Sequence, residues 1–223
     1  IDKKVNLIVA HHPLIFRGIK QITGSHSTDR IIIKAIKHDI AIYAIHTNLD
    51  NVYDGVNMAI AQKIGLENLR ILQPKPGLLR KLATFVPPDH KESVLNALFS
   101  AGAGHVGNYS ECSFSMTGTG TFLPNEGTNP FSGVIGVRSH ETEDRIEVIF
   151  PKIAEKEIIQ ALRKSHPYEE VAYDIVDLSN DYQKVGSGII GALPKPTEEK
   201  DFLRQLQTSF GTPLIRHSPL LGK

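Results

Sequence analysis

The feature that most constrains this chain is an internal repeat. Phe85-Val86-Pro87 recurs as Ile149-Phe150-Pro151, an offset of 64 residues. The match continues from Val94-Leu95 to Ile158-Ile159 and from Ala97-Leu98 to Ala161-Leu162. Each copy reads as a strand, a proline and an amphipathic helix. Tyr109–Thr117 and Gly120–Leu123, after the first copy, read as a Gly-hinged pair of strands. Val171–Leu178, after the second, reads as another strand. A doubled β-α-β of this kind is the split ferredoxin-like pattern. It is expected over 79–178, entered through the breaker Pro74-Lys75-Pro76-Gly77.

The flanks follow a different rule. Val5–Ala10 and Ile40–Ile45 are nearly unbroken apolar runs, the pattern of strands buried on both faces. Between them, Ile31, Ile32, Ala35 and Ile36 recur at helical spacing within 29–38. Ser27 or Thr28 is the expected cap, with Asp29 in the positive first turn. Strand, helix, strand in about forty residues is a β-α-β unit, so the two strands should be parallel neighbours. A second helix is expected at about 55–65, closed by Gly65. In the tail, Ile189-Ile190 is strand-like. An amphipathic helix follows at 197–208, with Thr197 as its expected cap. The tail is too small to stand alone. The expected organisation is therefore an α/β domain of 1–78 and 179–223, interrupted by the insert at 79–178.

Two segments carry chemistry. His11-His12-Pro13 ends the first apolar strand, where open α/β sheets place their sites. His46-Thr47-Asn48-Leu49-Asp50 ends the second, so its His and Asp should meet His11 and His12 at one rim. Imidazole with carboxylate suits zinc, iron, manganese or a similar divalent ion, and two projecting imidazoles suit two metals better than one. The plainer reading is a pair of loop histidines. His46 is better placed to orient Asp50 or a bound water than to serve as a sure ligand. Asn57 either caps the helix or takes a polar role there.

Leu7–Phe16, Tyr43–Asp50 and Gly55-Val56-Asn57 together resemble the dinuclear-metal family of Ngg-interacting factor three homologues. Its bacterial members carry the name GTP cyclohydrolase I type 2 homologue. Gly104–Phe114, Gly118–Pro124 and His166–Asp174 are similar to the inserted module of the longer bacterial members. That module in turn resembles trimeric proteins of the P-two and copper-tolerance type. The resemblance covers essentially the whole chain. It implies that His11 and His12 each bind a different metal and that Asp50 supplies a carboxylate to one. It also implies a His and a bridging Glu from a Gly-His-Tyr type segment. No such segment is found here, since His217 in Ile215-Arg216-His217-Ser218-Pro219 does not match it. The chain therefore reads as an internal fragment with a half-built site. The resemblance further implies a ring-shaped homo-oligomer, a hexamer in which the inserts associate in threes.

Other signals are weaker. Gly186-Ser187-Gly188-Ile189-Ile190-Gly191 fits G-x-G-x-x-G, but Pro194 and Pro196 follow where a dinucleotide fingerprint needs a helix. Its glycines are expected to relieve crowding in a strand, and no cofactor-binding residues are assigned. Glu126, His166, Glu169 and Glu170 form a second site, or His166-Pro167 simply ends a helix beside solvated carboxylates. Cys112 reads as a strand thiol.

The fold expected is thus a metal-binding mixed α/β sheet domain interrupted by a ferredoxin-like insert. The first functional reading is a metal-dependent hydrolase of a nucleotide or phosphate ester, with two divalent ions held by His11, His12 and Asp50. The second is a regulatory, ligand-sensing or metal-handling protein without turnover. With 25 Lys and Arg against 24 Asp and Glu, bulk electrostatic capture of nucleic acid or membrane is not expected. No run approaches the ~20 apolar residues of a membrane span. One cysteine in 223 residues suits a reducing, cytoplasmic setting.

Overall fold

A computed structural model describes residues 3–222 of the chain. The elements run β1 (Leu7–Ala10), α1 (Ser27–Lys37), β2 (Ala41–Ala44), a 3-10 turn (His46–Asn48), α2 (Val56–Lys63), β3 (Glu67–Pro74), β4 (Leu79–Val86) and α3 (Lys91–Ser100). They continue as β5 (Ser113–Phe122), β6 (Ser139–Pro151), α4 (Glu155–Ser165), β7 (Tyr173–Leu178), β8 (Gly186–Ala192) and α5 (Glu199–Phe210). The chain is mixed α/β and divides into two units: Ile1–Pro74 with Gln183–Lys223, and Lys75–Tyr182. Among the described residues no helix is long and apolar enough to cross a membrane.

The Lys75–Tyr182 unit contains the repeat. Its antiparallel sheet has the order β5-β6-β4-β7, with α3 and α4 packed together against it. Leu82 and Val86 on β4, and Ile146, Val148 and Phe150 on β6, alternate inward as period two demands. Val94 and Leu98 on α3, and Ile158 and Leu162 on α4, meet them at i, i+4 spacing. The repeat pairs Val86 with Phe150, Val94 with Ile158 and Leu98 with Leu162, and each of these six side chains is at most 1% exposed. The repeated positions are thus the floor of one core. Each such side chain contributes about 1.5–3 kcal/mol by burial. The expected Gly-hinged pair of strands is instead one continuous strand, β5, in register with β6 from Ser113 to Phe122. Gly118 and Gly120 lie inside it, because a ten-residue ladder outweighs two permissive residues. Cys112 sits just before β5, its backbone N–H bonded to the Gly104 carbonyl.

In the other unit, β1 and β2 pair in parallel, Leu7 opposite Ala41 and Ala10 opposite Ala44. They are not buried on both faces. Leu7, Val9 and Tyr43 are each more than half exposed. An apolar run reports what its residues are, not what lies against them, and among the described residues this sheet has two strands. α1 begins at Ser27 with His26 as its N-cap and no side-chain cap. Asp29 instead accepts the Thr23 backbone N–H at 3.1 Å, and that bond holds its carboxyl below the usual range. Glu198, not Thr197, precedes α5; the Thr197 hydroxyl donates to the Lys195 carbonyl.

β3 lies outside the strands expected from the sequence and pairs antiparallel with β8. The G-x-G-x-x-G hexapeptide lies wholly within β8. A Cβ on Gly186 would stand 2.3 Å from the Gln73 carbonyl oxygen, and one on Gly191 2.6 Å from the Leu69 side chain. These glycines let the two strands approach, as expected.

Candidate metal centre

The rim is built by a ladder that outlasts its strands. β1 gives way to His11 at Ala10, and β2 to Ile45 at Ala44. The Ile45 N–H nevertheless donates to the Ala10 carbonyl at 3.0 Å, and the His46 N–H to the His11 carbonyl at 2.8 Å. Those two bonds hold the ends of the parallel strands level. His46 then turns the chain, with φ +41°, into the 3-10 turn. This left-handed conformation is uncommon outside glycine and is costly enough to need support from its surroundings.

The result is a cluster of three imidazoles. The His11 and His12 ring centroids are 4.7 Å apart with planes at 90°. His46 lies 5.7 Å from His11 and 5.9 Å from His12. Phe16 meets the His46 ring edge-on at 6.2 Å. His11 and His12 are exposed and His46 is half-buried.

Asp50 is half-buried on the loop that leaves the 3-10 turn, and its backbone is firmly held. The Asn57 side-chain amide donates to the Asp50 carbonyl at 2.7 Å, and that of Asn51 to the Thr47 carbonyl at 2.6 Å. Asn57 thus takes the polar role, and α2 has no side-chain cap. Gly55 at the helix entry is required by packing, since a Cβ there would lie 1.9 Å from the Leu49 carbonyl oxygen. Among the described residues the Asp50 carboxylate has no hydrogen-bond or ion-pair partner.

In donor type the cluster fits divalent transition ions, for which imidazole is a common ligand. In number it does not close a shell. Among the described residues no three or more His, Cys, Asp or Glu side chains are arranged to hold one metal ion. The structure therefore brings together His11, His12 and His46, and leaves Asp50 on the adjoining loop. His217 lies elsewhere along the tail, its Nδ1 at 2.7 Å from the Ser218 carbonyl.

The second constellation resolves differently. His166 follows the last residue of α4 and is buried. Its Nε2 lies 2.9 Å from the Phe85 carbonyl, while Nδ1 accepts the Tyr168 backbone N–H at 3.1 Å. That pattern defines a neutral imidazole protonated at Nε2, and burial lowers its pKa from the ordinary histidine range. The Tyr168 hydroxyl donates to Glu143 at 2.8 Å. Burial and the Glu143 carboxylate push that phenol well above its usual range. Glu169 accepts the Asn129 N–H at 2.9 Å. Glu126 joins none of these bonds among the described residues. Sequence reasoning missed Glu143 and Tyr168, which lie 25 residues apart with no spacing signal to connect them.

A family model described as Duf34/NIF3 (NGG1p interacting factor 3) matches residues 1–222. A curated relative from Halalkalibacterium halodurans, named GTP cyclohydrolase 1 type 2 homolog, is 45% identical over 97% of this chain and 58% of its own. One of the same name from Bacillus subtilis is 46% identical over 91% of this chain and 54% of its own. A crystal structure of a Bacillus cereus protein related to NIF3 superposes with a TM-score of 0.82 at 43% identity, covering 94% of this chain and 56% of that one. The chain thus spans little more than half the length of the relatives it matches.

Proposed function

The chain belongs to the Duf34/NIF3 family, and from that premise we propose that it carries half of a dinuclear divalent-metal site in a metal-dependent hydrolase. The observation that carries this reading is the cluster of His11, His12 and His46 at the carboxyl ends of β1 and β2. His11 and His12 would each hold one metal, and Asp50 would add its carboxylate to one of them. His46, within 6 Å of both rings, orients the groups between them. The site would be completed by donors beyond these. Paired divalent ions, when bound, polarise a substrate oxygen and lower the pKa of water. The chain's own contribution is placement: the extended ladder fixes His11 against His46, and Asn57 and Gly55 fix the Asp50 loop.

The relatives' name supports a nucleotide as substrate, and the chemistry of paired divalent ions suits a phosphate ester equally. The protein also assembles, in this reading, as a homo-oligomeric ring in the cytoplasm. The test is turnover of GTP, other nucleotides and phosphodiesters by metal-loaded and metal-stripped protein. Hydrolysis that requires metal and is lost in His11→Ala supports the proposal; absence of turnover across the panel overturns the hydrolase part. The exposure of both His11 and His12 favours a second reading, metal handling without turnover. That reading expects bound metal to pass readily to a competing chelator.

A further inference from the structure

The Lys75–Tyr182 unit holds a cavity of about 470 Å³, within the size range of small-molecule sites. Its walls are aromatic: Phe85 at the end of β4, Phe122 at the end of β5, Phe131 on the loop before β6, and Tyr168. The Phe131 and Phe122 rings stand 5.8 and 6.4 Å from the Tyr168 ring. Glu143 on β6 also lines the cavity and is only 9% exposed.

The carboxylate is positioned with care. The Tyr168 hydroxyl donates to its Oε1 at 2.8 Å, and Tyr168 is itself fixed by the bond from its N–H to His166. Gly120 leaves room for Oε2, which would lie 2.0 Å from a Cβ there. The loop carrying Phe131 is held by the Asn129 N–H, which donates to Glu169, and its two ends are joined by the Gly136 N–H donating to the Pro124 carbonyl at 2.8 Å.

What this carboxylate lacks is a cation. On the same strand Arg145 pairs with Glu147, which also takes Lys81, and Lys91 pairs with Asp144. Among the described residues no Lys or Arg forms an ion pair with Glu143, and none lines the cavity. The other charged groups that line it, Glu169 and Glu170, are also acidic. A buried carboxylate held by one neutral donor favours a positively charged partner. Aromatic faces beside it favour the same charge.

We propose that this cavity binds a small molecule with an aromatic body and a protonated amine, the ammonium on Glu143 and the ring packed against the aromatic wall formed by Phe122, Phe131 and Tyr168. The site belongs to the Lys75–Tyr182 unit, and its test does not depend on metal at the histidine cluster. Two probes distinguish charge from shape: 2-phenylethylamine and its neutral counterpart 2-phenylethanol, titrated into the 223-residue chain by calorimetry or NMR. The amine should bind at least about tenfold more tightly than the alcohol, the discrimination expected of a charge-assisted hydrogen bond. Glu143→Gln keeps the shape and the Tyr168 bond, and should remove that discrimination while leaving the alcohol unaffected. Phe131→Ala, outside the sheet, should weaken both probes. Thermal melts of each variant report whether the unit is intact. Equal affinity for the two probes, failure of the amine to bind, or unchanged discrimination in Glu143→Gln would overturn the proposal.

Discussion

The His46 backbone N–H donates to the His11 carbonyl at 2.8 Å, beyond Ala10 and Ala44, the last paired residues of β1 and β2. That bond converts two separate strand ends into one platform, and it does so with His46 in a left-handed conformation. Replacing His46 with Asn, which tolerates this conformation, should preserve the fold and lower metal affinity by about 10–100-fold, the usual effect of losing an orienting partner. Chelator competition measures it. An unchanged affinity would remove His46 from the site.

Gly55→Ala should be damaging out of proportion to its size. The new Cβ would meet the Leu49 carbonyl, forcing the loop that carries Asp50 to move. A loss of roughly 1–3 kcal/mol is expected in urea titration of the folded chain, with weaker metal binding. Asn57→Ala should act on the same loop more gently, costing about 1 kcal/mol for the bond to the Asp50 carbonyl.

The two copies of the repeat should fail alike. Leu98 and Leu162 are both fully buried in the shared core. Leu98→Ala and Leu162→Ala should each destabilise the Lys75–Tyr182 unit by about 2–5 kcal/mol. Denaturation followed by circular dichroism checks both, and a difference beyond that range would break the equivalence.

His166 gives the same unit a pH dependence. Burial lowers its folded-state pKa below the ordinary 6.5, against smaller effects of the Phe85 carbonyl and Glu143, which raise it; nearby His90 adds to the lowering. The unfolded chain therefore takes up a proton near pH 6.5 that the folded chain refuses. Its contribution to stability is complete above that pH and falls as pH drops toward the folded value. The urea midpoint should fall between pH 7.5 and 5.5, and should fall less in His166→Gln. The carboxyls of Asp144 and Glu147 are both held below their ordinary values, Asp144 chiefly by the Thr117 hydroxyl and Glu147 by Lys81, so they act only in more acidic solution.

Hydrogen exchange should separate the sheets. β1 and β2 form a short two-stranded ladder with exposed side chains, whereas β4 and β6 lie in a four-stranded sheet over a closed core. Amides of residues 8–10 and 42–44 should exchange well before those of 82–86 and 146–150. Equal protection would contradict the exposure seen for β1.

The repeat was legible because its core residues recur at one depth: Val94 and Ile158, Leu98 and Leu162. The parallel pairing of β1 and β2 was legible from the β-α-β spacing, and with it the meeting of three histidines. β3 was not, because the alternation from Asn68 to Ile71 is broken at once by Leu72, its register shifts between Glu67 and Arg70, and its partner β8 lies more than a hundred residues on. The exposure of Leu7 and Val9 was equally hidden, since hydrophobicity does not reveal which neighbours are present. Glu143 gave no signal either: its role depends on Gly120 and Tyr168, brought beside it only by folding.

The measurement that bears most directly on the metal account is divalent-metal stoichiometry, by elemental analysis after zinc or manganese loading and desalting, for the wild type, His11→Ala and His12→Ala. The account expects each substitution to remove metal without unfolding the chain. Retention of the wild-type stoichiometry by both variants would contradict it.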